Sequence, residues 1–333
     1  MPTSFAVFGS GGWGTAIAWL LAQNPENQVR LWSAREESGR ELRERRENRR
    51  LLPGVSIPTS VHLTCNAQEA AEGSDGWVIA VPTVYLRATA ERLRAVRTRD
   101  VPVISLTKGI EAGTFLRPSE ILSESLGTDR LAVLSGPSHA EEVALGSPTT
   151  VVVAAADMGI AAWAQTHFTT DRFRVYTNPD VVGVELAGAL KNVIGIAAGI
   201  CDGLGFGDNT KAALLTRGLV EMTRFGVALG AEAATFQGLA GIGDLITTCF
   251  SRHGRNRRVG ERLARGESVD AVLAGPQVAE GVNTARSVHD RCQRMGLDAP
   301  IMAGVYDVLF RNRPPLDVVQ GLMTRQPKPE AHR

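Results

Sequence analysis

The sequence contains little that would support a disulfide framework, a zinc site or a nucleic-acid surface. Its four cysteines, Cys65, Cys201, Cys249 and Cys292, lie far apart without a CxxC spacing, which argues against structural zinc and disulfides. Thirty-six Lys plus Arg residues are balanced by 35 Asp plus Glu residues, leaving a net charge of +1. This charge creates no overall field for nucleic acid or an anionic membrane, so any anion site must be local.

Segments that would direct the chain into a membrane are also missing. The apolar stretch 13–21 could form the core of a signal peptide, but no Lys or Arg precedes Arg30, so the basic start of such a peptide is lacking. No uninterrupted run reaches the roughly 18 apolar residues of a membrane span. Together with the scattered cysteines, these features predict a cytoplasmic protein without a membrane span, a metal or a nucleic-acid partner.

What the chain does contain is enough apolar sequence for two domains, with 333 residues of which 44% are hydrophobic. The first half alternates short β-branched runs with longer polar–apolar stretches, a pattern typical of βαβ units and a parallel sheet. Strands are predicted at 5–8, 29–32, 77–81, 101–106, 131–134, 149–153 and 173–176. Beyond Asn178-Pro179, Ala-, Leu- and Gly-rich segments predict helices. We therefore predict an α/β domain over 1–182 and an all-α domain over 183–333.

A glycine-rich turn directly follows the first predicted strand, and residues 9–14 match GxGxxG. Gly9 permits a tight turn, Gly11 lets the backbone approach a pyrophosphate, and Gly14 lets the following helix pack on the strand. The N-terminus of that helix supplies amide donors to an anion. This context predicts dinucleotide binding, because a bare GxGxxG would often be only a structural turn.

The residues after the second predicted strand bear on which dinucleotide is bound. An NAD-selective site usually has Asp or Glu about 20 residues beyond the glycines, where the acid bonds the ribose hydroxyls. Here Ala34 and Arg35 occupy that position, and Arg35 tolerates a 2′-phosphate. We therefore favour NADPH over NADH, with Glu36 and Glu37 as alternative ribose acceptors if the turn is longer.

An isolated lysine lies in the apolar segment 183–201. Glu185 and Lys191 are its only ionisable charges, and they lie about 240° apart around a helix, so they do not pair with each other. Burial without a partner lowers the pKa of a lysine, and such lysines usually have a function. The alternative is that Lys191 extends its ammonium group along a groove to solvent.

Candidate ligand contacts follow two of the predicted strands, at the carboxyl ends where ligands of open α/β sheets bind. Lys108 comes after the strand at 101–106, although a surface loop lysine is the simpler interpretation of Lys108 alone. Gly136 and Ser138 follow the strand at 131–134 and offer a backbone amide and a hydroxyl to an anion.

The second half adds an acid and a basic cluster. Asp244 follows two glycines and precedes a helical stretch, so it is a candidate helix N-cap as well as a site residue. The basic cluster comprises Arg252, His253, Arg255, Asn256, Arg257 and Arg258, with Gly254 inside it. Its short length suits one phosphate group better than a nucleic-acid track, although a solvated helix start is an alternative.

In their order along the chain, these motifs resemble the bacterial NAD(P)-dependent glycerol-3-phosphate dehydrogenases over residues 6–313. The matching blocks are Gly9-Ser10-Gly11-Gly12-Trp13-Gly14-Thr15-Ala16, Thr107-Lys108-Gly109, Ser135-Gly136-Pro137-Ser138-His139-Ala140, Lys191-Asn192-Val193, Gly243-Asp244-Leu245 and Arg255-Asn256-Arg257-Arg258. The resemblance implies a Rossmann-type N-terminal domain, a 6-phosphogluconate-dehydrogenase-like helical domain and a cleft between them. It also implies reversible hydride transfer between NAD(P)H and dihydroxyacetone phosphate, which gives sn-glycerol 3-phosphate for phospholipid synthesis.

The resemblance further implies roles for individual residues. The catalytic set would be Lys191 as acid/base with Lys108 and Asp244. The cofactor set would be Gly9, Gly11, Gly12, Trp13, Gly14, Arg35, Lys108, Ala140, Arg255, Val278 and Glu280. The substrate set would be Lys108, Gly136, Ser138, Lys191, Asp244, Gly254, Arg255 and Asn256.

The sequence departs from the family at Gly254, where a serine is usual. Loss of that hydroxyl predicts weaker phosphate binding, with the Gly254 amide as a remaining donor. Two other functions stay open: a related β-hydroxyacid dehydrogenase, disfavoured by the basic cluster at 255–258, and a non-catalytic NADP-binding sensor, which would need neither Lys191 nor Lys108. The Gly- and Ala-rich helices could pack either a core or a dimer, and we predict a homodimer.

Overall fold

The computed structural model describes residues 2–251, 254–274, 279–327 and 329–330, and its strands all lie in the first part of the chain. In chain order they are β1 Thr3–Phe8, β2 Asn27–Trp32, β3 Glu47–Asn48, β4 Leu52–Ser56, β5 Val61–Thr64, β6 Gly76–Ile79, β7 Val103–Ser105, β8 Leu131–Ser135, β9 Thr149–Ala154 and β10 Phe173–Asn178. Eight of these strands form one sheet in the order β10-β9-β8-β7-β6-β1-β2-β5, while β3 and β4 form a separate antiparallel hairpin.

Helices cover this sheet and form the described second half, as the sequence predicts. Those between strands are α1 Gly12–Leu21, α2 Glu36–Arg45, α3 Ala67–Ala71, α4 Thr83–Arg94, α5 Pro118–Leu126, α6 Ala140–Ala144 and α7 Met158–Phe168. Those after β10 are α8 Val181–Gly203, α9 Asp208–Ala228, α10 Ala233–Phe236, α11 Asp244–Phe250, α12 Arg255–Ala264, α13 Val269–Leu273, α14 Glu280–Met295, α15 Pro300–Phe310 and α16 Pro315–Met323. A π-helical turn, Leu239–Gly243, leads into α11.

All seven predicted strands are present, but the prediction of a parallel sheet is wrong at one pairing. β8 and β9 run antiparallel, with Val133 opposite Ala154. The connection between them contains only the five-residue α6, and a parallel pair usually needs a full crossover helix. The sequence analysis also missed β5, a four-residue edge strand, and the β3–β4 hairpin.

The topology brings the predicted site residues to one edge of the sheet. β1, at the centre, is almost fully buried, since helices cover both faces of the sheet. The carboxyl ends of the parallel strands β1, β2, β6, β7 and β8 lead into residues 9–14, 33–35, 80–82, 106–109 and 136–138. Ligands of open α/β sheets bind at this edge.

Glycines set how closely α12 packs against α8. A Cβ on Gly199 would lie 1.8 Å from the carbonyl oxygen of Arg257, and one on Gly260 would lie 2.0 Å from that of Ile196. Only glycine allows two helix backbones to approach this closely. The glycines of α8 therefore bring the start of α12 close to it, where Asn256 bonds Asn192, the neighbour of Lys191.

α8 begins where the sheet ends, and it forms the centre of the helical half. Asp180 caps it by accepting a hydrogen bond from the Gly183 amide at 2.7 Å. By length and composition α8 could cross a membrane, so the expectation that no segment is long and apolar enough is wrong. However, 89% of its most apolar stretch is buried inside the protein, as in a core helix. The predicted division at residue 182 falls in the first turn of this helix and stays a prediction.

Candidate active site

A cleft of about 1040 Å³ lies between the sheet edge and the helical half. It is lined by most of the predicted site residues, namely Gly9, Gly11, Gly12, Trp13, Arg35, Lys108, Ser138, Ala140, Lys191, Gly254, Arg255, Asn256 and Glu280. Gly14, Gly136 and Asp244 do not line the cleft themselves, and Val278 lies outside the described residues. The structure thus brings together residues from both halves of the chain.

The glycine-rich loop has the geometry that its sequence predicts. Gly9 has a φ of +117°, and a Cβ there would lie 2.5 Å from the Ala80 carbonyl oxygen. A Cβ on Gly14 would lie 1.8 Å from the Gly9 carbonyl oxygen, so this glycine allows α1 to pack on the loop. A Cβ on Gly11 would meet nothing within 4 Å, so the loop backbone there faces open space. Gly11 is also the N-cap of α1 without a side-chain cap, which leaves helix amides for an anion.

Arg35 lies three residues beyond the end of β2 and is the N-cap residue of α2. Its exposed side chain lines the cleft beside Ser33 and Ala34. Of the two alternative ribose acceptors, Glu37 lines the cleft and Glu36 is not part of the lining. A cation and an acid therefore both face this end of the cleft, with the cation nearer the strand.

Lys191 has a buried partner, Asp244, which the resemblance grouped with it but which the pattern of segment 183–201 alone did not indicate. Its ammonium nitrogen lies 2.5 Å from Asp244 Oδ1 and donates to the Thr248 hydroxyl at 2.7 Å. The other oxygen of Asp244 pairs with Lys108 Nζ at 2.7 Å. The side chain of Asp244 is only 3% exposed, so one buried carboxylate bridges two lysines. The other charge of α8, Glu185, pairs instead with Arg117 at 2.6 Å.

The electrostatics of this group follow from burial and from the two cations. Burial lowers the pKa of Lys191, Asp244 opposes this shift, and Lys108 adds to it, so that the resulting pKa is about 8. Burial alone would raise the pKa of Asp244, but the two ammonium groups outweigh it and hold that pKa below its ordinary value. At neutral pH the site therefore contains an ionised Asp244 and a lysine that can exchange a proton.

The second predicted role of Asp244, helix capping, is wrong. Gly243 is the N-cap of α11 and Asp244 is the first helical residue. The carboxylate makes no capping hydrogen bond, because both oxygens are occupied by the lysines. Thr248, one turn further along α11, is the residue that sequence reasoning missed. Its spacing of four from Asp244 could have indicated that both face Lys191.

Gly136 and Ser138 lie next to Lys108 and share a hydrogen-bonded oxygen with it. The Lys108 ammonium donates to the Gly136 carbonyl at 2.9 Å, and the Ser138 hydroxyl donates to the same oxygen at 2.9 Å. Gly136 has a φ of +126°, and a Cβ there would lie 3.1 Å from Val151 Cα. Glycine is required for this turn, which aims the carbonyl at Lys108.

The start of α12 forms the side of the cleft nearest Lys191. The predicted amide donor of Gly254 is already used, since it donates to the Ser251 carbonyl at 3.2 Å. Asn256 donates to the Asn192 side chain at 2.9 Å and accepts from the Gly281 amide at 3.0 Å, so its orientation is fixed from two sides. Arg255 is exposed at the cleft.

The basic cluster is only partly a ligand site. Arg257 is turned away and pairs with Asp202 at 2.5 Å and with Glu261 at 2.8 Å. Arg258 lines the cleft with Arg255. Arg252 and His253 lie outside the described residues. One face of the cluster thus anchors α12 to α8, and the other faces the cleft.

Comparison with known proteins agrees with this geometry. Family models described as the N-terminus and the C-terminus of NAD-dependent glycerol-3-phosphate dehydrogenase match residues 4–161 and 180–320. The chain is 49% identical over 332 residues to a glycerol-3-phosphate dehydrogenase (NAD(P)+) of Salinibacter ruber, covering 98% of this chain and 97% of that one. It is 48% identical to the Moorella thermoacetica enzyme of the same name, covering 98% and 97%.

A solved structure extends the comparison to the fold. The crystal structure of glycerol-3-phosphate dehydrogenase from Coxiella burnetii matches with a TM-score of 0.92 and 36% identity, covering 97% of this chain and 99% of that one. The fold of both halves of the chain is therefore shared with this relative. The chain belongs to the NAD-dependent glycerol-3-phosphate dehydrogenase family and is an oxidoreductase that uses NADH or NADPH.

Proposed function

We propose that this enzyme reduces dihydroxyacetone phosphate to sn-glycerol 3-phosphate, reversibly, with Lys191 as the proton donor. The observation that carries the proposal is a buried Lys191 ammonium at the cleft, held by Asp244 and Thr248. The dinucleotide supplies the hydride when bound. The glycine loop fits its pyrophosphate, because a Cβ at Gly11 would meet nothing within 4 Å and α1 offers uncapped amides.

The chain's own residues supply the acid/base chemistry. Reduction places negative charge on the ketone oxygen, so a proton donor and nearby cations stabilise the transition state. Lys191 would donate its proton to that oxygen, and Lys108 would stabilise the developing charge. Asp244 orients both ammonium groups through its two oxygens. Because the pKa of Lys191 is lowered to about 8, reduction should weaken above that pH and oxidation should strengthen.

The substrate phosphate would bind at the start of α12. Arg255 supplies the cation, and Asn256 has one amide hydrogen left after its bond to Asn192. α12 has no side-chain cap, so its first-turn amides are available to an anion. Binding energy from the phosphate then positions the carbonyl against Lys191.

One assay separates this function from its two rivals. We expect NADPH oxidation with dihydroxyacetone phosphate, and far slower oxidation with dihydroxyacetone, which lacks the phosphate, or with a 2-keto acid. Faster turnover with the keto acid would identify a hydroxyacid dehydrogenase. Binding of NADPH without oxidation of it by any of these substrates would identify a sensor.

Cofactor preference depends on Arg35, which we propose favours NADPH over NADH. Arg35→Asp should shift the preference toward NADH, because a carboxylate repels the 2′-phosphate and accepts from the ribose hydroxyl. The measurement is kcat/KM with each cofactor. Arg40→Asp is the matched control, since Arg40 is an exposed residue of α2 outside the cleft lining. If both variants change the NADPH-to-NADH ratio equally, Arg35 does not contact the cofactor.

Gly254→Ser should lower the KM for dihydroxyacetone phosphate by about 2- to 10-fold, the effect of roughly one hydrogen bond. The backbone φ of −64° accepts serine, and a Cβ would lie 3.0 Å from the Thr248 carbonyl oxygen, so the neighbouring backbone must shift slightly. Gly254→Ala makes the same steric demand without the hydroxyl. An equal KM for the two variants would show that the hydroxyl makes no contact with the phosphate.

The cellular setting is also proposed. We infer a cytoplasmic homodimer that supplies sn-glycerol 3-phosphate to phospholipid synthesis. The high similarity to relatives of this enzyme name supports the metabolic role. Size-exclusion chromatography with light scattering would measure the oligomeric state.

A further inference from the structure

We propose that Glu280 is a positioning residue. Its carboxylate links the helical half to the start of α4 and packs against Gly109, and thereby holds Lys108 in place. We call this contact of Glu280 with Thr83 and Gly109 the clasp. The resemblance implied only that Glu280 touches the cofactor. The inference rests on the proposed roles of Lys108 and Lys191, since turnover is its readout.

The contact spans the two halves of the chain. Glu280 is the first residue of α14, and its Oε1 accepts a hydrogen bond from the Thr83 amide at 2.9 Å. Thr83 is the first residue of α4, and Pro82, the N-cap residue, offers no side-chain cap. The amide at this position has no partner within the helix, and a carboxylate is stabilised at the positive end of the helix dipole. Glu280 thus caps α4 from the other half of the protein.

The same carboxylate lies against the loop that carries Lys108. A Cβ on Gly109 would lie 2.9 Å from Glu280 Oε2 and 2.3 Å from the Thr83 hydroxyl. No side chain larger than glycine fits there without displacing one of them. Glu280 and Thr83 therefore pack directly against the backbone next to Lys108, whose ammonium pairs with Asp244.

The start of α14 also contacts the substrate side of the cleft. The amide of Gly281, the next residue, donates to the Asn256 side chain at 3.0 Å. Asn256 in turn donates to Asn192, the neighbour of Lys191 in α8. Two successive residues of α14 thus bind one element from each side of the cleft. This arrangement holds the two lysine-bearing segments in register.

Thr83→Pro removes the amide donor of the clasp and displaces the Glu280 carboxylate from it, without changing the Glu280 residue itself. Proline is tolerated at the first helical position, and the preceding residue has φ −59° and ψ 150°, the conformation that proline requires before it. Thr83→Ala is the matched control, because it removes the hydroxyl but keeps the amide. We expect Thr83→Pro to lower kcat by about 10- to 100-fold, the scale of a roughly 1 Å misplacement of catalytic groups. The Kd for NADPH should change by less than threefold, and Thr83→Ala should retain clearly more turnover than Thr83→Pro.

A double-mutant cycle with Glu280→Ala tests whether the two positions act together. If the clasp is correct, Glu280→Ala resembles Thr83→Pro, and the double variant is no worse than either single variant. Parent-like turnover of Thr83→Pro, combined with weakened NADPH binding in Glu280→Ala, would overturn the clasp and make Glu280 a cofactor ligand. Additive losses would overturn it as well.

A second variant decides the question if Thr83→Pro fails to fold, as judged by its melting temperature. Glu280→Gln keeps an oxygen that can accept from the Thr83 amide, so it should retain most of the turnover that Glu280→Ala loses. Equal loss in Gln and Ala would overturn the clasp. If the parent enzyme does not reduce dihydroxyacetone phosphate, the proposed function is wrong. If the parent is active and its variants keep parent-like turnover, the proposed function stands and the clasp is wrong.

Discussion

Lys191→Ala is expected to lower turnover of dihydroxyacetone phosphate by about 10² to 10⁴, the range for losing a positioned proton donor. This corresponds to about 3 to 5 kcal/mol of transition-state stabilisation. Affinity for NADPH should barely change, because the glycine loop at 9–14 belongs to the sheet half, whereas Lys191 lies in α8. Steady-state kinetics and a direct NADPH titration measure the two effects on one preparation.

The effect of this change on stability depends on Asp244. The carboxylate keeps Lys108 as a partner at 2.7 Å, but its Oδ1 loses the Lys191 ammonium. An unsatisfied buried acceptor costs about 1 to 3 kcal/mol, while removal of a buried ammonium is favourable, so the two effects oppose each other. We expect a folded variant with a modestly lower melting temperature. Lys191→Met, which fills the space of the side chain, should be more stable than Lys191→Ala and equally inactive.

Lys211 provides the matched control for Lys191. It is also a buried lysine paired with a carboxylate, with its Nζ 2.5 Å from Asp202 Oδ1, but it is not part of the cleft lining. Lys211→Met should therefore alter the melting temperature without a comparable loss of turnover. Near-normal turnover in Lys191→Met would contradict the acid/base role and make Lys108 the next candidate.

The glycine loop could be predicted from the sequence because its geometry is local. Gly9 needs its positive φ for the tight turn, and Gly14 packs against the Gly9 carbonyl five residues before it, so the glycine spacing itself carries the information. The partner of Lys191 could not be predicted in this way. Asp244 is 53 residues further along the chain, and only the packing of α11 against α8 brings the two side chains together. The residue pattern indicated a buried charge, and only the family resemblance placed Asp244 with it.

The same difference between local geometry and contacts of distant residues explains the other predictions that the structure corrects. The direction of β9 depends on how far the chain travels after β8, which the apolar pattern of the strand does not report. The Gly254 amide donates to the Ser251 carbonyl, so it is not available to a ligand, although the basic motif alone predicts a free donor there. The two roles of the basic cluster depend on Asp202, at the far end of α8. In each case a feature outside the motif decided the outcome, either the length of a connection or a contact with another segment.

Asp244→Asn is expected to have the second large effect, because it removes the one carboxylate that compensates two lysines. Removing one partner of a buried ion pair costs about 3 to 5 kcal/mol, and here two ammonium groups lose their counterion. The melting temperature should fall substantially. Turnover should fall as well, since both lysines lose the carboxylate that orients them and keep only their bonds to Thr248 and Gly136.

The pH profile separates a catalytic role of Asp244 from a purely structural one. Asp244 favours the charged form of Lys191, so its loss should move the pKa of Lys191 below about 8. Reduction requires the ammonium form, so its decline with rising pH should begin at a lower pH in Asp244→Asn than in the parent. Asp180→Asn is the control: Asp180 is a buried carboxylate that accepts hydrogen bonds from the Gly183 amide and the Thr235 hydroxyl, both at 2.7 Å, and contacts neither lysine. It should lower stability without moving the pH profile, and an unmoved profile in Asp244→Asn would mean that Asp244 does not set the charge of Lys191.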